Sequence, residues 1–306
     1  MILADIATLL QDTAVELHRT EQILAKDPND FVALTNMQSL LKRHADLTEQ
    51  FEEMAAEDRM EVLYYRLIPK MAEPPIKSLN DLLSSFQQMF SVIFDSIATN
   101  TKKTRARIAE SSLKASTLRF AYAFPGSVGF AMTLPEELIL LNNDYNAALE
   151  AIKRIHSISS MEEVKEFAGD YGVAAARILF QWLDAIVRTD IDAEVKWAGS
   201  ERNEFLVQVP DARAIRDLIA ETSETETTDR NYRGTLLGYD SERRTFRFAI
   251  GNRKPIHGMV SEAVSRKLVV PEQYDVRVRV EIISRYSTEE KQEKFELLDI
   301  TANKNF

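Results

Sequence analysis

Residues 230–283 read RNYRGTLLGYDSERRTFRFAIGNRKPIHGMVSEAVSRKLVVPEQYDVRVRVEII, a stretch in which β-branched and aromatic residues gather in short runs separated by Gly, Asp, Asn and Pro. RGTLLGYD, RTFRFAI, KPIHGMV and YDVRVRVEII, followed downstream by EKFELLDI, recur at a spacing of about ten residues. Four or five short strands at that spacing with turn residues between them predict a small closed β-barrel, SH3-like or OB-like. A short helix is expected at Ser261–Lys267.

The same stretch changes the charge balance. The whole chain carries a net charge of −10, yet from Asp229 to Lys294 Lys and Arg outnumber the acids. In YDVRVRVEII, Val276, Val278, Val280 and Ile282 alternate with Arg277, Arg279 and Glu281, so one face is core and the other presents guanidinium groups about 7 Å apart. Arg247, between Phe246 and Phe248, would extend the row on a neighbouring strand, with Arg233, Arg253 and Lys254 nearby. Fixed guanidinium groups on a small barrel suit phosphates. They equally suit acidic protein surfaces, including the acidic helices of this chain or of a second copy.

Upstream, the polar SETETTDR at Ser223–Arg230 reads as the boundary of the barrel. Before it the periods are mixed. MEVLYYRLI at Met60–Ile68 is strand-like and ends at Pro69, while STLRFAYAF and VGFAMTL flank Pro125, Gly126 and Ser127 as a hairpin, giving a three-stranded antiparallel sheet. A separate strand pair is expected near Ala193–Pro210 and a short helix from Asp211. Helical spacing marks Leu79–Ile97, Asp144–His156 and one long segment at Met161–Arg188, with TKKTRAR at Thr101–Arg107 as a solvated basic link. Helices over a small sheet make this middle α+β.

At the start of the chain, Leu3, Ile6, Leu10, Thr13, Leu17, Thr20 and Leu24 step by threes and fours. Ala33, Met37, Leu40, His44, Leu47, Phe51 and Met54 do the same after DPND, so an antiparallel helical hairpin is predicted. LAKDPNDFVAL resembles the turn between tetratricopeptide repeats, but no period of about 34 residues recurs downstream, and it is read as a single turn. The hairpin stripe could pack within the monomer or form a seam with a second copy.

The expected fold is therefore α+β, with a helical hairpin over residues 1–58, an α+β domain over 59–222 and a small barrel over 223–306. At 306 residues and 45% hydrophobic the chain can bury a sizeable core, and nine Gly and nine Pro leave little room for low-complexity linkers. With no Cys, disulfides, thiolate metal sites and a Cys nucleophile are excluded, which fits a reducing cytoplasm. No window reaches the roughly 20 apolar residues of a membrane span, and the amphipathic N-terminus is not a signal peptide.

Catalytic signals are sparse. Asp192, Glu194 and Lys196 in TDIDAEVKW resemble the core of metal-dependent nucleases, in which carboxylates hold Mg²⁺ and a lysine steadies the attacking water. That family takes its first acid from a preceding strand, whereas Asp170 and Asp184 fall in a helical pattern; an exposed strand face explains the three residues equally. Neither His18 nor His44 has zinc-site spacing, His44 reading as an interhelical packing residue and His257 as a turn histidine near Arg253 and Lys254. Phosphate loops, dinucleotide fingerprints and nucleophile elbows are absent from the sequence, so no cofactor or metal is expected. The expected function is non-catalytic: an interaction or adaptor protein that associates with itself and meets another macromolecule, protein or nucleic acid, through its barrel, the alternatives being nucleic-acid binding through the Arg row and, third, a metal-dependent nuclease.

Overall fold

In the computed structural model the chain forms two compact units, residues 1–220 and 221–306. The structure describes residues 2–71, 73–124, 128–134, 142–198, 203–251, 253–264 and 267–302. The expected hairpin turn at Pro125–Ser127 and residues 265–266 of the expected Ser261–Lys267 helix lie outside them.

The first unit begins with helices α1 (Leu3–Lys26) and α2 (Phe31–Glu57). Asp30 caps α2, its carboxylate accepting from the Ala33 N–H at 3.0 Å. The predicted stripe is the packed face: Ile6, Leu10, Leu17, Leu47 and Phe51 are buried. Thr13 and Thr20 are tolerated in that seam because their hydroxyls donate back to the carbonyls of Leu9 and Glu16, at 2.7 and 2.8 Å.

Strands β1 (Glu61–Pro69), β2 (Arg119–Phe124), β3 (Val128–Leu134), β4 (Ile191–Ala198) and β5 (Asn203–Val207) form one sheet in the order β2-β3-β1-β4-β5. The expectation of a three-stranded sheet and a separate strand pair is corrected here: β4 pairs antiparallel with the free edge of β1, joining the two sets. The reason is legible in β1, whose Val62–Tyr65 are buried on both faces, so both of its edges need partners. One face of the sheet meets the helical hairpin through Ile6, Leu10, Leu47, Phe51, Val62 and Tyr64.

The other face lies under helices α3 (Ile76–Ala98) and α7 (Val173–Thr189). There Tyr65 stacks on Phe86 at 4.4 Å and its hydroxyl accepts from the Trp182 indole N–H at 3.0 Å. Helices α4 (Glu110–Ser116), α5 (Asn142–Lys153), α6 (Met161–Tyr171) and α8 (Val209–Glu221) complete the unit. The long helix expected over Met161–Arg188 is two helices, because Gly172 has φ 93° and breaks the run. A Cβ there would lie 2.5 Å from the backbone N of Lys103, so the segment expected as a solvated link packs tightly against the helix junction. Lys103 also pairs with the buried carboxylate of Asp95, which accepts the Ala109 N–H at 3.1 Å.

The second unit is a closed barrel of β6 (Ser223–Asp240), β7 (Thr245–Ala249), β8 (Ile256–Val260), β9 (Glu272–Arg285) and β10 (Lys291–Ala302), in the order β10-β8-β7-β6-β9 with β9 paired to β10. An SH3-like barrel closes its first strand on its last. Here the first strand closes on the fourth, and the third runs parallel to the last through Met259 and Val260, which is the OB-like order. Strands β6, β9 and β10, of 18, 14 and 12 residues, are longer than the short strands expected; β9 pairs along most of its length with β6 on one side and β10 on the other. SETETTDR, read as a boundary, is the first half of β6: it pairs residue by residue with β9, from Ser223 opposite Arg285 to Arg230 opposite Val278. Backbone hydrogen bonding holds it, which its polar side chains conceal. Residues 262–264 are turns and bends in place of the expected helix. Leu236, Phe248, Val276, Val278, Val280 and Leu297 fill the interior.

Candidate functional site

Strand register decides what the barrel arginines can do. Arg277 and Arg279 point outward from β9, flanked by β6 and β10. Those flanking strands carry acids: Arg279 stands opposite Asp229 and Glu296 and pairs with both, at 3.5 and 3.2 Å. Arg233 holds Asp275 with two contacts, at 2.7 and 3.2 Å. Each raises the other's charge preference: the Asp275 hydrogen bond raises the Arg233 pKa, and the guanidinium lowers that of Asp275. Arg277 stands opposite Asn231 and Asp299. The predicted row of arginines is therefore a lattice of alternating sign on this face.

Arg247 does not extend that row. It lies on β7, and β6 separates β7 from β9. Its cross-strand neighbour is His257 on β8, and both side chains are exposed. The two strands form one wall of a cleft of about 800 Å³ whose opposite wall is β10 from Gln292 to Phe295. The pairing of β8 with β10 is short, Met259 opposite Glu296 and Val260 opposite Leu297, and the cleft lies beside it. Gly258 allows the closure: a Cβ there would fall 2.0 Å from the carbonyl oxygen of Phe295. Arg247, His257 and Lys294 bring positive or titratable groups to this cleft, with Tyr239 and Phe295 as aromatic surface and Met259 exposed. Asp240 is there too, but it is used locally, accepting the N–H groups of Glu242 and Arg243 at 2.9 and 2.8 Å. Glu293 is the second acid. Arg253 and Lys254 are exposed between β7 and β8.

Across residues 221–306 the sequence holds 15 Lys and Arg and 15 Asp and Glu, so the acid excess of the chain lies in residues 1–220. The basic character read from Asp229–Lys294 is balanced by acids just outside that window, at Glu224, Glu226, Glu296 and Asp299.

Asp192, Glu194 and Lys196 share one face of β4, as the alternation predicts. Each has a local role. Asp192 accepts the Val209 N–H at 2.8 Å at the start of α8, Glu194 meets Arg66 at 3.4 Å, and Lys196 stands 6.0 Å over the ring of Tyr64. Asp170 and Asp184 are on helices, the first 3.5 Å from Arg154 and the second 2.7 Å from Arg188. Among the described residues, no three His, Asp or Glu side chains are grouped in a way that would hold a metal ion. No helix among them is long and apolar enough to cross a membrane.

That Lys294 shares a cleft with Arg247 and His257 escaped the sequence reading, because β10 reaches β8 through a parallel contact between strands distant in sequence. The turn placement of His257 is corrected: it is a β8 residue. Comparison with family models, with curated proteins and with solved structures returned no match.

Proposed function

We propose that this protein is a cytoplasmic binding protein that takes an extended, acidic polypeptide segment into the barrel cleft and associates with itself through its helical hairpin. The observation that supports the first half is the contrast between the arginines. Arg233 and Arg279 already hold carboxylates, whereas Arg247 faces His257 and Lys294 with no ion pair among the described residues. Beyond their short pairing, the facing edges of β8 and β10 are open to an extended chain joining as an added strand. A neutral barrel with Glu293 in the cleft wall suits a partner met at a few charges better than a continuous phosphate backbone.

A second reading, single-stranded nucleic acid, is favoured by one feature: the OB-like strand order sets the β7–β8 face and its aromatic residues where such barrels bind oligonucleotides. Fluorescence anisotropy with a labelled oligoglutamate peptide and a labelled oligothymidylate, each over a salt series, separates the two. The peptide should bind with an affinity that falls as salt rises, and Arg247→Ala should weaken it about tenfold, as loss of a charge-assisted hydrogen bond does. Arg279→Ala should leave it nearly unchanged. Binding of oligothymidylate alone would replace the first reading with the second, and binding of neither would end both.

A further inference from the structure

The sheet of the first unit carries a second cleft, of about 540 Å³, where α2 leaves part of β1, β4 and β5 uncovered. Its walls are aromatic and acidic. Tyr64, Tyr122 and Phe124 supply rings, with Tyr64 and Phe124 meeting edge to face at 5.8 Å. The charged groups are Glu49, Glu52, Glu194 and Glu204 against Arg66 and Lys196, and Arg66 is already matched to Glu194. Negative charge is in excess by two.

Tyr122 adds an independent observation. It is 2% exposed, lines the cleft, and its hydroxyl makes no hydrogen bond. The hydroxyls of Thr48 and Tyr64 are its neighbours, but both are committed as donors. Thr48 donates to the His44 carbonyl at 2.8 Å and Tyr64 to the Glu52 carboxylate at 2.9 Å. With both neighbours donating elsewhere, the buried Tyr122 hydroxyl is left without a hydrogen-bond partner. His44 lines the same cleft, and its buried Nε2 is likewise without a partner. Burial lowers the His44 pKa, which favours the neutral ring.

A pocket with an unpartnered phenol oxygen, an imidazole nitrogen that accepts in one of its tautomers, excess carboxylate and aromatic faces suits a positively charged ligand with N–H donors. We propose that this cleft binds a small organic cation bearing N–H donors, an alkylammonium or a guanidinium. The volume is that of an ordinary small-molecule site. An ammonium near the rings repeats what Lys196 does over Tyr64. The inference is independent of the barrel and of its partner.

Isothermal titration of the 306-residue chain with agmatine tests it, with hexamethonium as a dication that has no N–H. Agmatine should bind saturably at one site, and hexamethonium at least tenfold more weakly. Tyr122→Phe keeps the ring and removes the acceptor, and should weaken agmatine about tenfold. Glu204→Gln, at an exposed position on β5, should weaken it several-fold without disturbing the fold and serves if Tyr122→Phe does not fold. No saturable heat with the wild type, equal binding of hexamethonium, or an affinity unmoved by either substitution would overturn the proposal.

Discussion

His44 sits half-buried on α2, and burial lowers its pKa below the ordinary histidine value. The titratable and charged groups that share its cleft are Glu49 and Glu52 on α2 and Tyr64, Arg66, Tyr122, Glu194, Lys196 and Glu204 from the sheet. A depressed pKa means that the unfolded chain takes up the proton more readily than the folded one. The neutral ring therefore contributes its full stability above about pH 6.5, the unfolded value, and stability is lost as pH falls below that toward the lowered native pKa. Urea denaturation between pH 7.5 and 5.5 should show stability declining, and His44→Gln should flatten that slope. An identical slope in the variant would mean that other groups carry the decline. Helical spacing alone marked His44 as an interhelical residue. Its exposure to a cleft was not legible, because the cleft wall comes from Tyr64, Tyr122 and Glu204, residues distant in sequence and gathered by the sheet.

At the scale of elements, local periodicity carried most of the reading. The stripes of α1 and α2, the alternation in β4 and β9 and the break after Pro69 correspond to real elements because each is imposed by residues a few positions apart. Pairing order was hidden, since it is set by contacts between distant segments: β4 on β1, and β8 beside β10. SETETTDR was hidden for another reason, as a strand held by backbone bonds need not look apolar. Gly258 is where element order rests on one residue. An added methyl group would fall on the Phe295 carbonyl, which belongs to the backbone and cannot rotate away. Gly258→Ala should force β8 and β10 apart, at a cost of about 2 kcal/mol typical of overpacking. Hydrogen exchange should then quicken in β8 and in β10 near Phe295, and the cleft beside Arg247 should lose its peptide affinity. Unchanged exchange at both strands would show that the contact is not tight.

At the scale of the whole molecule, the helical hairpin packs on its sheet through one end only of its length. The cluster that joins it to its sheet draws on Ile6 and Leu10 from α1 and on Leu47, Phe51 and Ala55 from α2, all toward the end away from the connecting turn. At the turn end Phe31 is 78% exposed, and Leu34 and Leu41 are also exposed. Positions 31, 34 and 41 recur at intervals of three and seven, so they lie along one side of α2, apart from the buried Ala33, Leu47 and Phe51. Single exposed apolar residues are ordinary, but a stripe of them along one side of a long helix supports the self-association proposed above. A second copy offers the same stripe in antiparallel register, an isologous arrangement that closes after two subunits. Multi-angle light scattering across a concentration series should therefore report a dimer that dissociates on dilution. Replacing Phe31 and Leu34 together with Ser should leave a monomer of unchanged helix content by circular dichroism, since neither side chain is part of the packed seam. A wild type that stays monomeric at the highest concentration would remove self-association from the proposed function and leave the barrel cleft as its binding surface.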